Sequence, residues 1–81
     1  MKLNLFAVRD LKSNVYSQPF FAPHTAQAMR DFTSAVNQDG VYKSYPDDFA
    51  LCHLAIFDLE TGVTDNVDGE FIIARSVLKE A

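Results

Sequence analysis

A single cysteine, Cys52, excludes an internal disulfide and with it the stapled scaffolds of small secreted domains. There is no tryptophan, and only three prolines and three glycines punctuate the chain. Gly40, Gly62 and Gly69 are far apart and each closes a turn, so no glycine-rich phosphate loop can be built from them. Histidine is scarce as well. His24 and His53 with one cysteine give no ligand spacing for zinc, which wants about four Cys, His or acidic ligands. No apolar run approaches the roughly 18 residues of a membrane span. The start, Met1-Lys2-Leu3-Asn4-Leu5-Phe6, is broken by Asn4 and Arg9 and is too short for the apolar region of a signal peptide. Basic residues are the minority, seven against eleven acids for a net charge of −4, a balance unfavourable for indiscriminate coating of nucleic acid.

What remains is 48% hydrophobic with ten Phe and Tyr rings, too apolar for a disordered chain. Its 81 residues make one compact domain spanning 1–81. A core of that size supplies about 3–5 kcal/mol, so a homo-oligomer, most simply a twofold dimer, is the expected source of further stability.

Pattern and punctuation predict β-β-α-β-β. Leu3 to Val8 is apolar on alternate sides of an extended segment, and Asp10-Leu11-Lys12-Ser13-Asn14 is a polar turn. Val15 to Phe21 is the return strand, moved to a sheet edge by Pro19. In Gln18-Pro19-Phe20-Phe21-Ala22-Pro23 two phenylalanines lie between prolines that cannot sit in a helix, so the pair ends the strand and sets the entry of a helix. Ala28, Met29, Phe32, Ala35 and Val36 recur at helical spacing, with Thr25 as the expected N-cap and Asn37-Gln38-Asp39-Gly40 as the stop. Tyr42 to Asp48 reads as a loop. Phe49 to Phe57, interrupted only by His53, reads as a central strand covered on both sides. Turns at Asp58–Gly62 and Asp65–Gly69 lead to a last strand over Phe71–Ala74, and 76–81 reads as a frayed tail. No internal repeat is visible. The fold class is α+β: a four-stranded, mainly antiparallel sheet with one helix on one face. The opposite face exposes apolar groups and invites a partner.

Candidate catalytic groups fail on geometry. Cys52 and His53 are neighbours on a strand and point to opposite faces, so they cannot form a nucleophile–base pair. Thr64-Asp65-Asn66-Val67-Asp68-Gly69 has calcium-loop residues at three places, but Thr64 and Arg75 occupy the places that need acids. Asp47-Asp48 reads as a cap before a strand. The expectation is a non-enzyme with no cofactor and no metal. One binding pattern is present: Lys2, Arg9 and Lys12 accompany the rings of Phe6, Tyr16, Phe20 and Phe21 on the N-terminal hairpin. Rings that stack on bases beside cations that meet phosphates are how sheets hold single strands. Lys2, Arg9, Lys12, Tyr16, Phe20 and Phe21 are therefore the candidate nucleic-acid-binding residues, and the filling of a core or dimer interface is the competing use of the rings.

Several segments, taken in order, resemble the small non-structural protein of microviruses, in particular the gokushovirus branch of single-stranded-DNA phages. They are Met1-Lys2-Leu3-Asn4-Leu5-Phe6-Ala7-Val8-Arg9-Asp10, Gln18-Pro19-Phe20-Phe21-Ala22-Pro23, Ala28-Met29-Arg30-Asp31-Phe32, Tyr45-Pro46-Asp47-Asp48-Phe49-Ala50-Leu51, Phe57-Asp58-Leu59-Glu60-Thr61-Gly62 and Ile72-Ile73-Ala74-Arg75. The resemblance implies an accessory factor in the host bacterial cytoplasm that acts in genome replication or packaging. Single-stranded DNA, or a viral replication or packaging protein, is the partner it implies. A homodimeric module that binds only viral or host proteins is the alternative.

Overall fold

The computed structural model describes residues 1–69 and 71–79. Two long strands form its spine: β1, Lys2–Asp10, and β4, Phe49–Asp58, paired antiparallel from Lys2↔Asp58 to Asp10↔Phe49. Their register slips once, because Phe6 faces His53 while Leu5 faces Ala55, leaving Leu54 as the extra residue of a bulge. Each spine strand carries a broken outer column. β2, Val15–Tyr16, and β3, Phe20–Ala22, both pair with β1. β5, Thr64–Asn66, and β6, Phe71–Ile73, both pair with β4. The expected antiparallel α+β architecture is therefore present, and the strand order that pattern alone left open is β2/β3–β1–β4–β5/β6.

The single return strand expected over Val15 to Phe21 is split. Pro19 has no N–H for a ladder, and Ser17 supplies the link across the gap instead. Val8 N–H donates to Ser17 Oγ at 2.9 Å, and Ser17 N–H donates to Val8 O at 2.7 Å. The hydroxyl thus takes the place of a strand carbonyl.

Helix α1, Thr25–Val36, lies on one face and buries Ala28, Phe32 and Val36, spaced one turn apart, against Phe6, Val8, Ala22 and Leu51. Its N-cap is His24, in extended backbone and with no side-chain cap bond, rather than Thr25, which is the first helical residue. Its carbonyl accepts from Gln27 N–H and Ala28 N–H. Past Gly40, part of the expected loop winds into a single turn, α2, Val41–Ser44, which places Tyr42 beside Phe32 and edge-on to Phe49.

The expected frayed tail is ordered over the part that is described. Ala74–Val77 is a 3-10 turn, Ala74 is fully buried, and Val77 and Leu78 pack on the core. Asn37 at the end of α1 holds it: Nδ2 donates to Thr33 O and Val77 O, and Oδ1 accepts from Lys79 N–H. Residues 80–81 lie outside the described residues.

The two halves repeat one plan. Each runs long strand, five-residue turn, short strand, break, short strand, helical turn. The turns match residue for residue in type: Asp10-Leu11-Lys12-Ser13-Asn14 and Asp58-Leu59-Glu60-Thr61-Gly62. In both, the fifth residue is left-handed, Asn14 at φ 61° and Gly62 at φ 76°, and its N–H returns to the aspartate carbonyl at 2.8 Å. The aspartate side chains accept backbone N–H groups inside their turns, Asp10 from Lys12 and Ser13, Asp58 from Glu60. The sequence reading found no repeat because outside these turns the halves share shape but little residue identity.

Candidate nucleic-acid interface

Alternation along β1 sends Phe6 and Val8 towards α1 and Leu3, Leu5, Ala7 and Arg9 to the far face. Through the register, Ala50 and Cys52 share that far face, and after the bulge so do Ala55 and Phe57. Its centre is made of small buried residues, Ala7, Ala50, Cys52 and Ala55. Larger side chains surround this floor.

The structure divides the six candidate residues. Phe20 turns inward: its ring stacks on Phe6 at 5.9 Å, and Phe6 in turn stacks on His53 at 4.7 Å, a row of three rings across β3, β1 and β4. Phe20 is thus part of the core wall. Phe21, the next residue, points the other way, is 54% exposed and meets Phe57 at 6.1 Å. Lys2 sits at the opposite end of β1 from Lys12, about 26 Å away at 3.3 Å per residue. That leaves Arg9, Tyr16 and Phe21 on one face, with Lys12 in the adjoining turn.

Arg9 and Tyr16 pair across β1 and β2, and the guanidinium lies 5.5 Å from the ring centre. Arg9 also donates from Nη2 to Asn14 Oδ1 at 3.1 Å. Both residues border a recess of about 170 Å³ whose far wall is Val67, Asp68 and Gly69, with Cys52 and His53 between. Two buried side-chain nitrogens among the described residues have no hydrogen-bond partner, Arg9 Nε and His53 Nε2, and their residues both line this recess. Gly69 is required there by close approach: a Cβ would fall 2.4 Å from that of His53. Along the same outer column Phe21 lies opposite Leu5, four β1 positions from Arg9 and Tyr16, or about 13 Å. The face thus carries two exposed rings at a fixed spacing, one of them beside a cation.

Cys52 is buried, and desolvation pushes its thiol above the ordinary range, the opposite of nucleophile activation. Asp47 is held below the usual carboxylate range by a two-point contact with Arg75, and the bond from Arg75 Nη2 to Asp47 Oδ2 is 3.0 Å. The segment compared with a calcium loop holds β5 and a turn, and no metal-ligating cluster occurs among the described residues. No described helix is long and apolar enough to cross a membrane.

The family model for the phage ORF5 protein matches residues 3–78. The chain belongs to the phage ORF5 family. That match runs from the first strand through the 3-10 turn and so takes in both repeats of the phage ORF5 member described here. None of the curated proteins and none of the solved structures matches it.

Proposed function

We propose that this phage ORF5 family member is a non-enzymatic accessory protein of a microvirus, of the gokushovirus type. It acts in the host cytoplasm by binding single-stranded DNA during genome replication or packaging. The observation that carries the reading is the pair of exposed rings, Tyr16 and Phe21, on the face turned away from α1, with the Arg9 guanidinium against Tyr16. Bases stack on such rings whatever their sequence, and a phosphate oxygen is the acceptor that the unpartnered Arg9 Nε lacks. Lys12, exposed in the turn, adds a second cation. The acidic remainder of the molecule limits contact to this face and favours flexible single strands over duplex, whose phosphates come as a dense rigid array.

The test is fluorescence anisotropy of a labelled oligonucleotide at low and near-physiological salt. Binding that weakens steeply with salt, with duplex bound less well, is expected. Tyr16→Ala and Phe21→Ala should each weaken it by the stacking of one base, about 1–3 kcal/mol. No binding at low salt, where attraction is strongest, sinks the reading.

A second reading has its own observation. Leu3, Leu5, Phe21 and Phe57 make an apolar row on the same face, and Val63 and Ile73 are exposed besides. In that reading the face stacks on a second copy and the protein is a homodimeric interaction module. Sedimentation equilibrium separates the two, since a dimer broken by Leu5→Lys that never binds DNA belongs to the second.

A further inference from the structure

The break between β2 and β3 has a consequence on the helix side of the sheet. There the outer column does not close over the core, and a groove opens between it and α1. It consists of two adjoining recesses of about 390 and 230 Å³ that share Val8, Ser17 and Tyr42. Apolar and aromatic groups line it: Val8, Phe20, Phe32, Ala35, Tyr42 and Phe49. The corresponding break in the second repeat is crossed by Val67–Gly69, whose Val67 N–H bonds to Leu54 O and whose Gly69 presses on His53.

We propose that this groove is a docking site for a basic peptide segment that carries apolar anchors. Volume and lining call for apolar side chains, since the larger recess alone is in the size range of ligand pockets, about 300–1,000 Å³. Charge selects what flanks them. The groove is bordered by two carboxylates, Asp31 and Asp10, and by no lysine or arginine. Asp10 is kept ionised, because the N–H groups of Ser13 and Lys12 hold its carboxyl below the ordinary range. Lys43 on the neighbouring α2 is drawn to Asp39, 3.5 Å away. A polyanion is repelled by such a rim and a cationic segment is attracted. Docking proceeds by side-chain insertion and not by strand addition, since Ser17 already occupies both the N–H and the carbonyl of Val8. This surface is separate from the far face of Arg9, Tyr16 and Phe21, so the proposal stands or falls apart from DNA binding.

The experiment is selection of a random dodecapeptide display library on the immobilised full chain, followed by titration of the enriched sequence as a synthetic peptide. The expected pool carries net positive charge together with Leu, Met or Phe anchors. Its affinity should fall about tenfold or more on Asp31→Lys, a fully surface change, and on Ala35→Phe, which fills the groove. Circular dichroism confirms that both variants remain folded, and oligonucleotide binding by both should match the parent chain. The proposal is overturned if no peptide is enriched above bare matrix, if the pool lacks net positive charge, or if the peptide binds Asp31→Lys and the parent equally.

Discussion

Ser17 has the most to lose from a single oxygen. Its hydroxyl is the partner that the interrupted edge gives to Val8 N–H, on a residue only 7% exposed. Ser17→Ala leaves that donor unpaired with little access to water, and such losses cost about 1–3 kcal/mol. Urea denaturation should show the drop in midpoint, while Ser13→Ala, which removes a solvent-exposed hydroxyl, should leave it unchanged. The turn aspartates act through protons. The Ser13 and Lys12 N–H groups lower the carboxyl of Asp10, and the Glu60 N–H lowers that of Asp58. A carboxyl with a folded-state pKa below its unfolded one stabilises above the unfolded value, about 3.9, and that contribution is lost as pH falls through the folded value. Thermal melts should therefore hold steady from neutrality to about pH 4.5 and decline below it. Asp10→Asn with Asp58→Asn should flatten that acid-side decline, and an unchanged slope would show the turns to be uninvolved.

Elements were legible in the sequence to different depths. The long strands and α1 announced themselves, because nine- and twelve-residue segments repeat their apolar signal often enough to fix their period. The split of the return strand was only half visible: Pro19 marked the weakness, but nothing local told that Ser17 would bridge it. The orientations of Phe20 and Phe21 were closed to inspection for the same reason, since register decides which ring faces in and register is set by pairing with β1. Of the candidate site, Arg9 and Tyr16 could be placed together from the hairpin, whereas the separation of Lys2 from Lys12 needed the length of β1. The tail was misjudged because six polar and small residues give no periodic signal, while the bonds that order it come from Asn37, about forty positions away. Asn37→Ala removes three hydrogen bonds at once. Hydrogen exchange should then show amides 76–79 losing protection and α1 fraying from its last turn, while β1 and β4 stay protected.

At the scale of the whole molecule the dimensions, 45 × 24 × 17 Å, follow from the spine. The core gathers around Phe6, Val8 and Leu51, and no residue between 55 and 66 belongs to it, so the sheet extends beyond the helix layer. At that uncovered end Leu59 and Val63 are exposed, and the N-terminus is tied back by Leu59 N–H to Met1 O and by the Met1 ammonium to Glu60. One molecule thus offers two unlike surfaces, a flat one with rings and a cation, and a grooved one with acids. Net charge, a single sum, hid that difference from the sequence reading.

The matching turns at Asp10 and Asp58 also say something about ancestry. Each half brings one long strand to the central ladder, and β1 pairs with β4 antiparallel, as two copies of a single unit would across a twofold axis. A peptide of half this length, associating with itself, could have built such a sheet before its gene was duplicated and joined. Fusion would then have freed the halves to diverge, one growing a twelve-residue helix over the core and the other keeping a single turn. The open break beside Ser17 and the closed one beside Gly69 are what that freedom would leave behind: one inherited seam, put to two uses.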